Sequence, residues 1–150
     1  MEAIKVRVKD IFKELNSLIE LDFDAIAAYE SAISRLQSGV YKRKLDEFMQ
    51  DHRKHVTALS AVVRELGGDP AKDTDVKRIL TQGKVVIANI VGDDITILKA
   101  MKSNEDKTNM KYEQATRKLR ASARLGPLLA SNLEDERRHR KWILATLESG

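Results

Sequence analysis

The stretch from Leu45 to Leu66 places the strongest constraint on the fold, because two histidines interrupt its apolar positions. Its apolar residues recur at steps of three and four, the spacing that puts them along one side of an α-helix packed against other helices. The residues on this side are Leu45, Phe48, His52, His55, Leu59, Val62 and Leu66. His52 and His55 therefore stand where core leucines are expected.

Three other segments repeat this spacing, and each also carries an acid, or an acid and a histidine, at the matching place on its apolar side. We predict four helices, over about residues 5–37, 41–66, 93–120 and 126–148. The interrupting residues outside the second helix are Asp22, Glu105, Glu136 and His139. All three histidines of the chain thus fall on the apolar sides of predicted helices.

The connections between these segments predict the topology. Ser38–Gly39 ends the first helix and leaves a short link, and Gly67–Pro70 ends the second helix. Over about residues 73–92 we expect a long connector with an N-cap at Thr74 and a shorter helix, long enough to cross the bundle. Short, long and short links predict an all-α, antiparallel four-helix bundle with one long crossover between helices two and three, with residues 1–150 as a single domain.

The two halves of the chain resemble each other. Asp22 and Tyr29 match Glu105 and Tyr112 at an offset of 83 residues. At an offset of 84, three residues of the second helix match three of the fourth: Asp51, His52 and His55 against Asp135, Glu136 and His139. A bundle built from two such halves is expected to have approximate twofold symmetry.

Six polar residues should meet in one layer of the core. Counting along each helix from its short link, at a rise of about 1.5 Å per residue, puts them midway along the bundle. The predicted metal ligands are Asp22, His52, His55, Glu105, Glu136 and His139. Buried carboxylates and imidazoles are costly unless they pair or bind metal, and these donors suit one or two ions of iron, manganese or zinc. The alternative is a metal-free hydrogen-bonded network in a structural or interaction protein.

Three nearby residues receive other roles. Tyr29 and Tyr112 are expected to be packed core residues, not redox centres, whose hydroxyls reach the acids one layer away because helical side chains lean towards the N-terminus. Asp51, four residues before His55, is an alternative ligand, although it lies off the apolar side of its helix.

Composition narrows the function classes. The chain has no cysteine, which excludes disulfides, thiolate metal sites and a thiol nucleophile and fits the cytoplasm. We find neither a signal-peptide core nor a run of about 18 apolar residues, so we expect neither export nor a membrane span. The 27 basic residues are interleaved with 23 acidic ones. The basic run of the fourth helix is therefore expected to be a solvated face, and nucleic-acid binding is the least favoured function. A homodimer is the expected oligomer.

These motifs resemble the ferritin-like superfamily, rubrerythrin and its relatives in particular. The resemblance rests on D-x6-Y in the first helix, E-x6-Y in the third and E-x-x-H in the fourth. The stretches LNSLIELDFDAIAAYESAI, RELGGDP and SNEDKTNMKYEQAT are similar to small bacterial ferritin-like domains of uncharacterised function. The similarity extends over nearly the whole chain.

The resemblance implies a di-iron centre that reacts with oxygen or peroxide, held by a glutamate on helices one and three and by E-x-x-H on helices two and four. By this resemblance the ligand positions are Asp22, His55, Glu105, Glu136 and His139. Asp22 is one methylene shorter than glutamate, and His52 replaces the bridging glutamate of the second helix. Loss of that carboxylate leaves one metal, an asymmetric pair or redox-inert zinc as alternatives. A ferroxidase or peroxidase-type oxidoreductase is the implied enzyme class, without an identified substrate or redox partner.

Overall fold

The computed structural model describes residues 8–73, 87 and 89–149 of the chain. Within these residues lie four α-helices and no strand, which confirms the all-α prediction. The helices are α1 (Val8–Arg35), α2 (Gly39–Glu65), α3 (Asp94–Leu119) and α4 (Leu125–Ser149). The predicted start of the first helix near residue 5, the predicted N-cap Thr74 and most of the predicted connector helix lie outside the described residues.

Contacts at the two ends of the bundle fix the direction of each helix. Asp94, at the start of α3, accepts hydrogen bonds from the backbone N–H groups of Gln37 (2.8 Å) and Ser38 (2.9 Å), in the link between α1 and α2. At the opposite end, Arg124, just before α4, donates to Glu65 at the end of α2. Helix α2 therefore ends one bundle length from the start of α3, so the connection between them spans the bundle, as predicted.

Each helix packs against two antiparallel neighbours. Helix α1 lies against α2 and α3, and α4 lies against α3 and α2, with the sparsest packing between α2 and α4. The remaining pairs, α1 with α4 and α2 with α3, lie diagonally across the bundle. This arrangement is an antiparallel four-helix bundle, which confirms the predicted architecture.

The two ends of α2 show how local sequence sets helix bounds. The Ser38 hydroxyl accepts a hydrogen bond from the Tyr41 N–H at 3.2 Å, so α2 begins at Gly39, two residues before the predicted start. The prediction that Gly39 ends the first helix is wrong, because Gly39 opens the second. At the other end, Gly67 adopts φ +89°, and the following N–H bonds the Val63 carbonyl. This left-handed closing turn stops the helix.

Two apolar clusters fill the bundle, one towards each end. The cluster near the link between α1 and α2 includes Tyr29 and Phe48, and the cluster at the other end includes Leu59 and Tyr112. On every helix, the polar residues that were predicted to meet lie between the stretches that supply these clusters. The fold therefore contains one buried polar layer midway along the bundle.

Candidate metal centre

The polar layer holds all six residues that the sequence predicts as ligands. Asp22, His52, Glu105, Glu136 and His139 are 0% exposed, and His55 is 2% exposed. Helices α1 and α3 each contribute one carboxylate, α2 contributes two histidines, and α4 contributes a glutamate and a histidine. The two residues on α2, like the two on α4, are three positions apart, a spacing that puts both side chains on one side of the helix.

These side chains form two groups that share two members. In each group, one oxygen or nitrogen atom per residue lies within 4.8 Å of the others, a spacing compatible with holding a metal ion. The groups are Asp22, His52, His55 and Glu136, and His52, Glu105, Glu136 and His139. His52 and Glu136, which correspond to each other in the repeat, thus stand between the two groups.

The two buried tyrosines each donate a hydrogen bond to a carboxylate from the other half of the chain. The Tyr29 hydroxyl bonds Glu105, and the Tyr112 hydroxyl bonds Asp22. Burial and the adjacent carboxylates raise the pKa of both phenols well above the ordinary value of 10.0, so both remain donors. The hydroxyls reach the acids as predicted. The two tyrosines are equivalent in the sequence repeat, and so are the two acids that they contact.

Between α2 and α4, two histidines pair with aspartates that were not predicted as their partners. His55 Nε2 lies 2.9 Å from Asp135 Oδ2, and His139 Nε2 lies 2.8 Å from Asp51 Oδ2. The two pairs correspond in the repeat, and each joins α2 to α4. In both histidines the inner nitrogen, Nδ1, faces the carboxylates of the centre. The outer aspartates therefore set the orientation of the imidazole rings.

Arg138 connects the two outer aspartates. Its guanidinium donates to Asp51 at 2.7 Å and to Asp135 at 3.1 Å. Asp51, the alternative ligand of the sequence, belongs to neither group, and its carboxylate contacts His139 and Arg138. The match of Asp51 with Asp135 in the repeat was the sequence signal that could have identified this pair.

Two further polar residues of α3, which were not predicted to belong to the site, connect α3 to α4 at the level of the layer. The Thr108 hydroxyl lies 3.1 Å from a Glu105 carboxylate oxygen and 3.4 Å from a Glu136 oxygen. The Asn109 amide donates to the backbone carbonyls of Glu105 (2.7 Å) and Glu136 (3.1 Å). These bonds hold the two glutamates on facing turns of α3 and α4.

The charges of the layer stabilise one another. Burial lowers the pKa of the histidines, but the surrounding carboxylates outweigh it and raise the pKa of His55 to about 12 and that of His139 to about 9. The pKa of His52 also lies well above its ordinary value of 6.5. Burial raises the pKa of Asp22 and Glu105, yet the histidines hold both below their ordinary values. Without an ion, the layer is a set of imidazolium–carboxylate pairs, and a metal must displace their protons.

Three buried atoms of the layer lack a hydrogen-bond partner within the described part of the chain. They are His52 Nε2, Glu136 Oε1 and His139 Nδ1. Each atom lies 3.3–3.5 Å from an oppositely charged atom without hydrogen-bond geometry, whereas buried polar atoms are nearly always hydrogen-bonded, so these three atoms are available to hold a further group. All three residues belong to the second group. Imidazole nitrogen and carboxylate oxygen fit iron, manganese or zinc as that group.

The basic run of α4 is largely paired with acids. Besides Arg138, Arg140 Nε lies 2.6 Å from Asp106, and an Arg137 nitrogen lies 3.7 Å from Glu113, both on α3. These ion pairs leave less positive charge for a phosphate backbone than the sequence run alone indicates. Among the described residues, no helix is both long and apolar enough to cross a bilayer.

Solved structures share this architecture. A ferritin-like, diiron-carboxylate protein from Bacillus anthracis str. Ames matches with a TM-score of 0.70 and 18% identity, over 96% of this chain and 99% of that chain. Dps from Thermosynechococcus elongatus matches with a TM-score of 0.71 and 13% identity, over 93% of this chain and 92% of that chain. These likenesses concern the fold, and they establish a ferritin-like four-helix bundle. Comparison with curated proteins gives no match.

The sequence itself matches a family over most of its length. Residues 10–118 match the family described as a domain of unknown function (DUF2383). This span takes in nearly all of α1, all of α2 and most of α3, and contains four of the six buried ligand candidates, whereas Glu136 and His139 lie beyond it. The chain belongs to the DUF2383 family.

Proposed function

We propose that this protein binds one or two transition-metal ions in its buried polar layer, with iron as the preferred metal and manganese or zinc as alternatives. One observation carries the proposal: His52 Nε2, Glu136 Oε1 and His139 Nδ1 are buried without hydrogen-bond partners in the described residues. The shared fold with a protein named as a diiron-carboxylate protein supports it. The oxygen and nitrogen donors of the layer are of the kind that hold such ions in four-helix bundles.

The surrounding side chains would orient the ligands before an ion arrives. Asp51 and Asp135 hold the outer nitrogens of His139 and His55, so that each Nδ1 faces the centre. The two buried tyrosines hold the carboxylates of α1 and α3 in the same way. Preorganisation of this kind reduces the conformational entropy that binding must remove.

We further propose that the centre takes part in iron handling or the oxidative-stress response. When bound, ferrous iron supplies the electrons that reduce oxygen or peroxide. The chain offers no thiol for this purpose, because it contains no cysteine. Asp51 and Asp135, whose side chains are 17% and 32% exposed, connect the buried imidazoles to solvent and are placed to pass protons to and from the layer.

A metal-free bundle with a structural or interaction role is the second candidate. The observation that favours it is the pairing of every histidine with an acid, such as the 2.7 Å contact between His52 Nδ1 and Asp22 Oδ1. Such pairs compensate buried charge without an ion. This candidate leaves the three unpartnered atoms unexplained, so the metal centre is the better supported function.

The test is the metal content of protein purified without an affinity tag, measured by elemental analysis before and after anaerobic reconstitution with ferrous iron. We expect about one to two equivalents per chain, and consumption of oxygen or peroxide by the iron-loaded protein. The double variant Glu105→Gln, Glu136→Gln should lose the metal. The control Glu113→Gln, Glu134→Gln removes the same charges from solvent-facing positions on the same helices and should retain it.

Each outcome separates the candidates. Wild-type protein without metal, even after reconstitution, would favour the metal-free role. Bound iron that reacts with neither oxygen nor peroxide would limit the function to metal binding. Equal metal loss in both double variants would mean that overall charge, and not the buried carboxylates, governs metal content.

A further inference from the structure

His52 turns its two ring nitrogens towards different acids of the polar layer. Nδ1 lies 2.7 Å from Asp22 Oδ1 and 3.3 Å from Glu136 Oε1. Nε2 lies 3.5 Å from Glu105 Oε1 and is buried without a hydrogen-bond partner in the part of the chain that is described. The ring is therefore shared by two candidate ion positions. We call them the Asp22 position (Asp22, His52, His55 and Glu136) and the Glu105 position (His52, Glu105, Glu136 and His139).

The two shared residues differ in what they can offer. A carboxylate such as that of Glu136 has two oxygens and can bind two ions at once. A neutral imidazole has one nitrogen free to bind an ion, because the other nitrogen carries a proton. His52 can therefore complete one position at a time, and the two positions compete for its ring.

The hydrogen bonds favour the Glu105 position. On the Asp22 side, both inner nitrogens are engaged, since Asp22 Oδ1 lies 2.7 Å from His52 Nδ1 and 3.2 Å from His55 Nδ1. On the Glu105 side, the inner nitrogens make only longer contacts without hydrogen-bond geometry: His52 Nε2 lies 3.5 Å from Glu105 Oε1, and His139 Nδ1 lies 3.5 Å from Glu105 Oε1 and 3.4 Å from Glu136 Oε2. An ion that enters the Asp22 position must displace two hydrogen bonds from its nitrogen ligands. An ion that enters the Glu105 position displaces only the longer charge contacts at these nitrogens.

We propose that the two positions bind divalent metal ions with unequal affinity: the Glu105 position binds the first ion, and the Asp22 position binds a second ion more weakly because His52 is already engaged. This inference rests on the proposed metal binding. It assigns to His52, the residue that departs from the E-x-x-H pattern, the role of making the centre asymmetric. Zinc is a suitable probe, because it takes nitrogen and oxygen ligands without redox change.

Calorimetric titration of the metal-stripped full chain with Zn²⁺ tests this proposal, and native mass spectrometry counts the bound ions. For the wild type we expect two binding events whose Kd values differ by about tenfold or more. His139→Ala should weaken the first event by at least about tenfold. His55→Ala, its counterpart in the repeat, should leave the first event unchanged and abolish the second.

Two further variants guard against effects on folding. Glu105→Gln and Asp22→Asn preserve the size of the side chains. Glu105→Gln should weaken the first event, like His139→Ala, and Asp22→Asn should abolish the second event, like His55→Ala. Circular dichroism at the helical wavelengths verifies that each variant is folded. His52→Glu supplies a carboxylate that can serve both positions, so the two Kd values should converge.

The outcomes distinguish this inference from the proposed function. Two events of equal affinity in the wild type would overturn the inequality while metal binding stands. If His55→Ala and Asp22→Asn abolish the first event and His139→Ala retains it, the assignment of the first ion to the Glu105 position is overturned while metal binding stands. A wild-type protein that binds no zinc at all, and no iron on reconstitution, would instead refute the proposed function.

Discussion

His139 on α4 and Asp51 on α2 lie 2.8 Å apart, from Nε2 to Oδ2, at the edge of the buried polar layer. The same relationship joins His55 to Asp135 at 2.9 Å. These two hydrogen bonds cross the most sparsely packed interface of the bundle. An acid that accepts the outer N–H of a histidine fixes the tautomer and the rotation of the ring, so these aspartates determine what the inner nitrogen offers to an ion.

Replacing Asp51 with asparagine should weaken the binding of the first zinc ion by about 10- to 100-fold, because His139 loses the acceptor that orients it. Asp135→Asn should weaken the second ion instead, through His55. Competition with a chromophoric chelator measures both Kd values. Asp46→Asn removes the same charge from an exposed site on α2 and should change neither. Equal effects of all three substitutions would mean that net charge, not ring orientation, controls the affinity.

The metal-free protein should be most stable at about pH 5 to 6. The pKa of His139 is raised to about 9 and that of His55 to about 12 in the folded protein. Both histidines therefore contribute fully to the stability of the fold at a pH below their ordinary pKa of 6.5. That contribution is lost as the pH rises through the raised values. The lowered pKa values of Asp22 and Glu105 act in the opposite direction: their contribution is present above the ordinary values of 3.8 and 4.5 and is lost as the pH falls.

Urea unfolding in the presence of a chelator, at about pH 4, 6 and 9, measures this dependence. The free energy of unfolding should be largest at the middle value. A free energy of unfolding that increases steadily from the middle to the highest pH would contradict the imidazolium–carboxylate pairing of the metal-free layer.

Tyr29→Phe and Tyr112→Phe should each lower the free energy of unfolding of the metal-free protein by about 1–3 kcal/mol, because each leaves a buried carboxylate with one donor fewer. Tyr41→Phe is the control, since the Tyr41 ring packs edge-on against Trp142 at a centroid distance of 5.9 Å, away from the polar layer. Chemical denaturation measures all three variants. If they lose the same stability, the hydroxyls of the two buried tyrosines do not hold the acids.

Zinc at about 100 times its Kd should stabilise the native protein by about 2.7 kcal/mol, because the ion binds the folded state. For a chain of this length, that corresponds to a rise in Tm of about 5–10 °C. Differential scanning calorimetry with and without a chelator measures the shift. The double variant Glu105→Gln, Glu136→Gln should show no shift. An unchanged Tm in the wild type would support the metal-free role.

The polar layer could be predicted because the spacing of apolar residues indicates which side of each helix faces the core. Asp22 and Glu105 lie on the apolar sides of α1 and α3, and counting from each link gives their level along the bundle. The bundle topology followed from the lengths of the links. These features depend on positions within one helix and on the order of the helices, both of which the sequence contains.

The outer partners could not be predicted in the same way. Asp51 lies off the apolar side of α2, so periodicity classifies it as facing outwards. Its contact with His139 depends on how α4 stands beside α2, which the pattern of neither helix contains. The start of α2 was predicted two residues too late for a local reason. Gly39 has a low helix propensity, but the cap formed by Ser38 includes it in the first turn.

His52 and Glu136 hold equivalent places in the two hairpins, yet one is an imidazole and the other a carboxylate. A symmetric dimer of one hairpin would carry the same residue at both places, either two histidines or two glutamates. Fusing the hairpins into one polypeptide frees each place to mutate on its own. A single chain can therefore place different residues on the two sides of its centre, which no symmetric pair of identical hairpins can do.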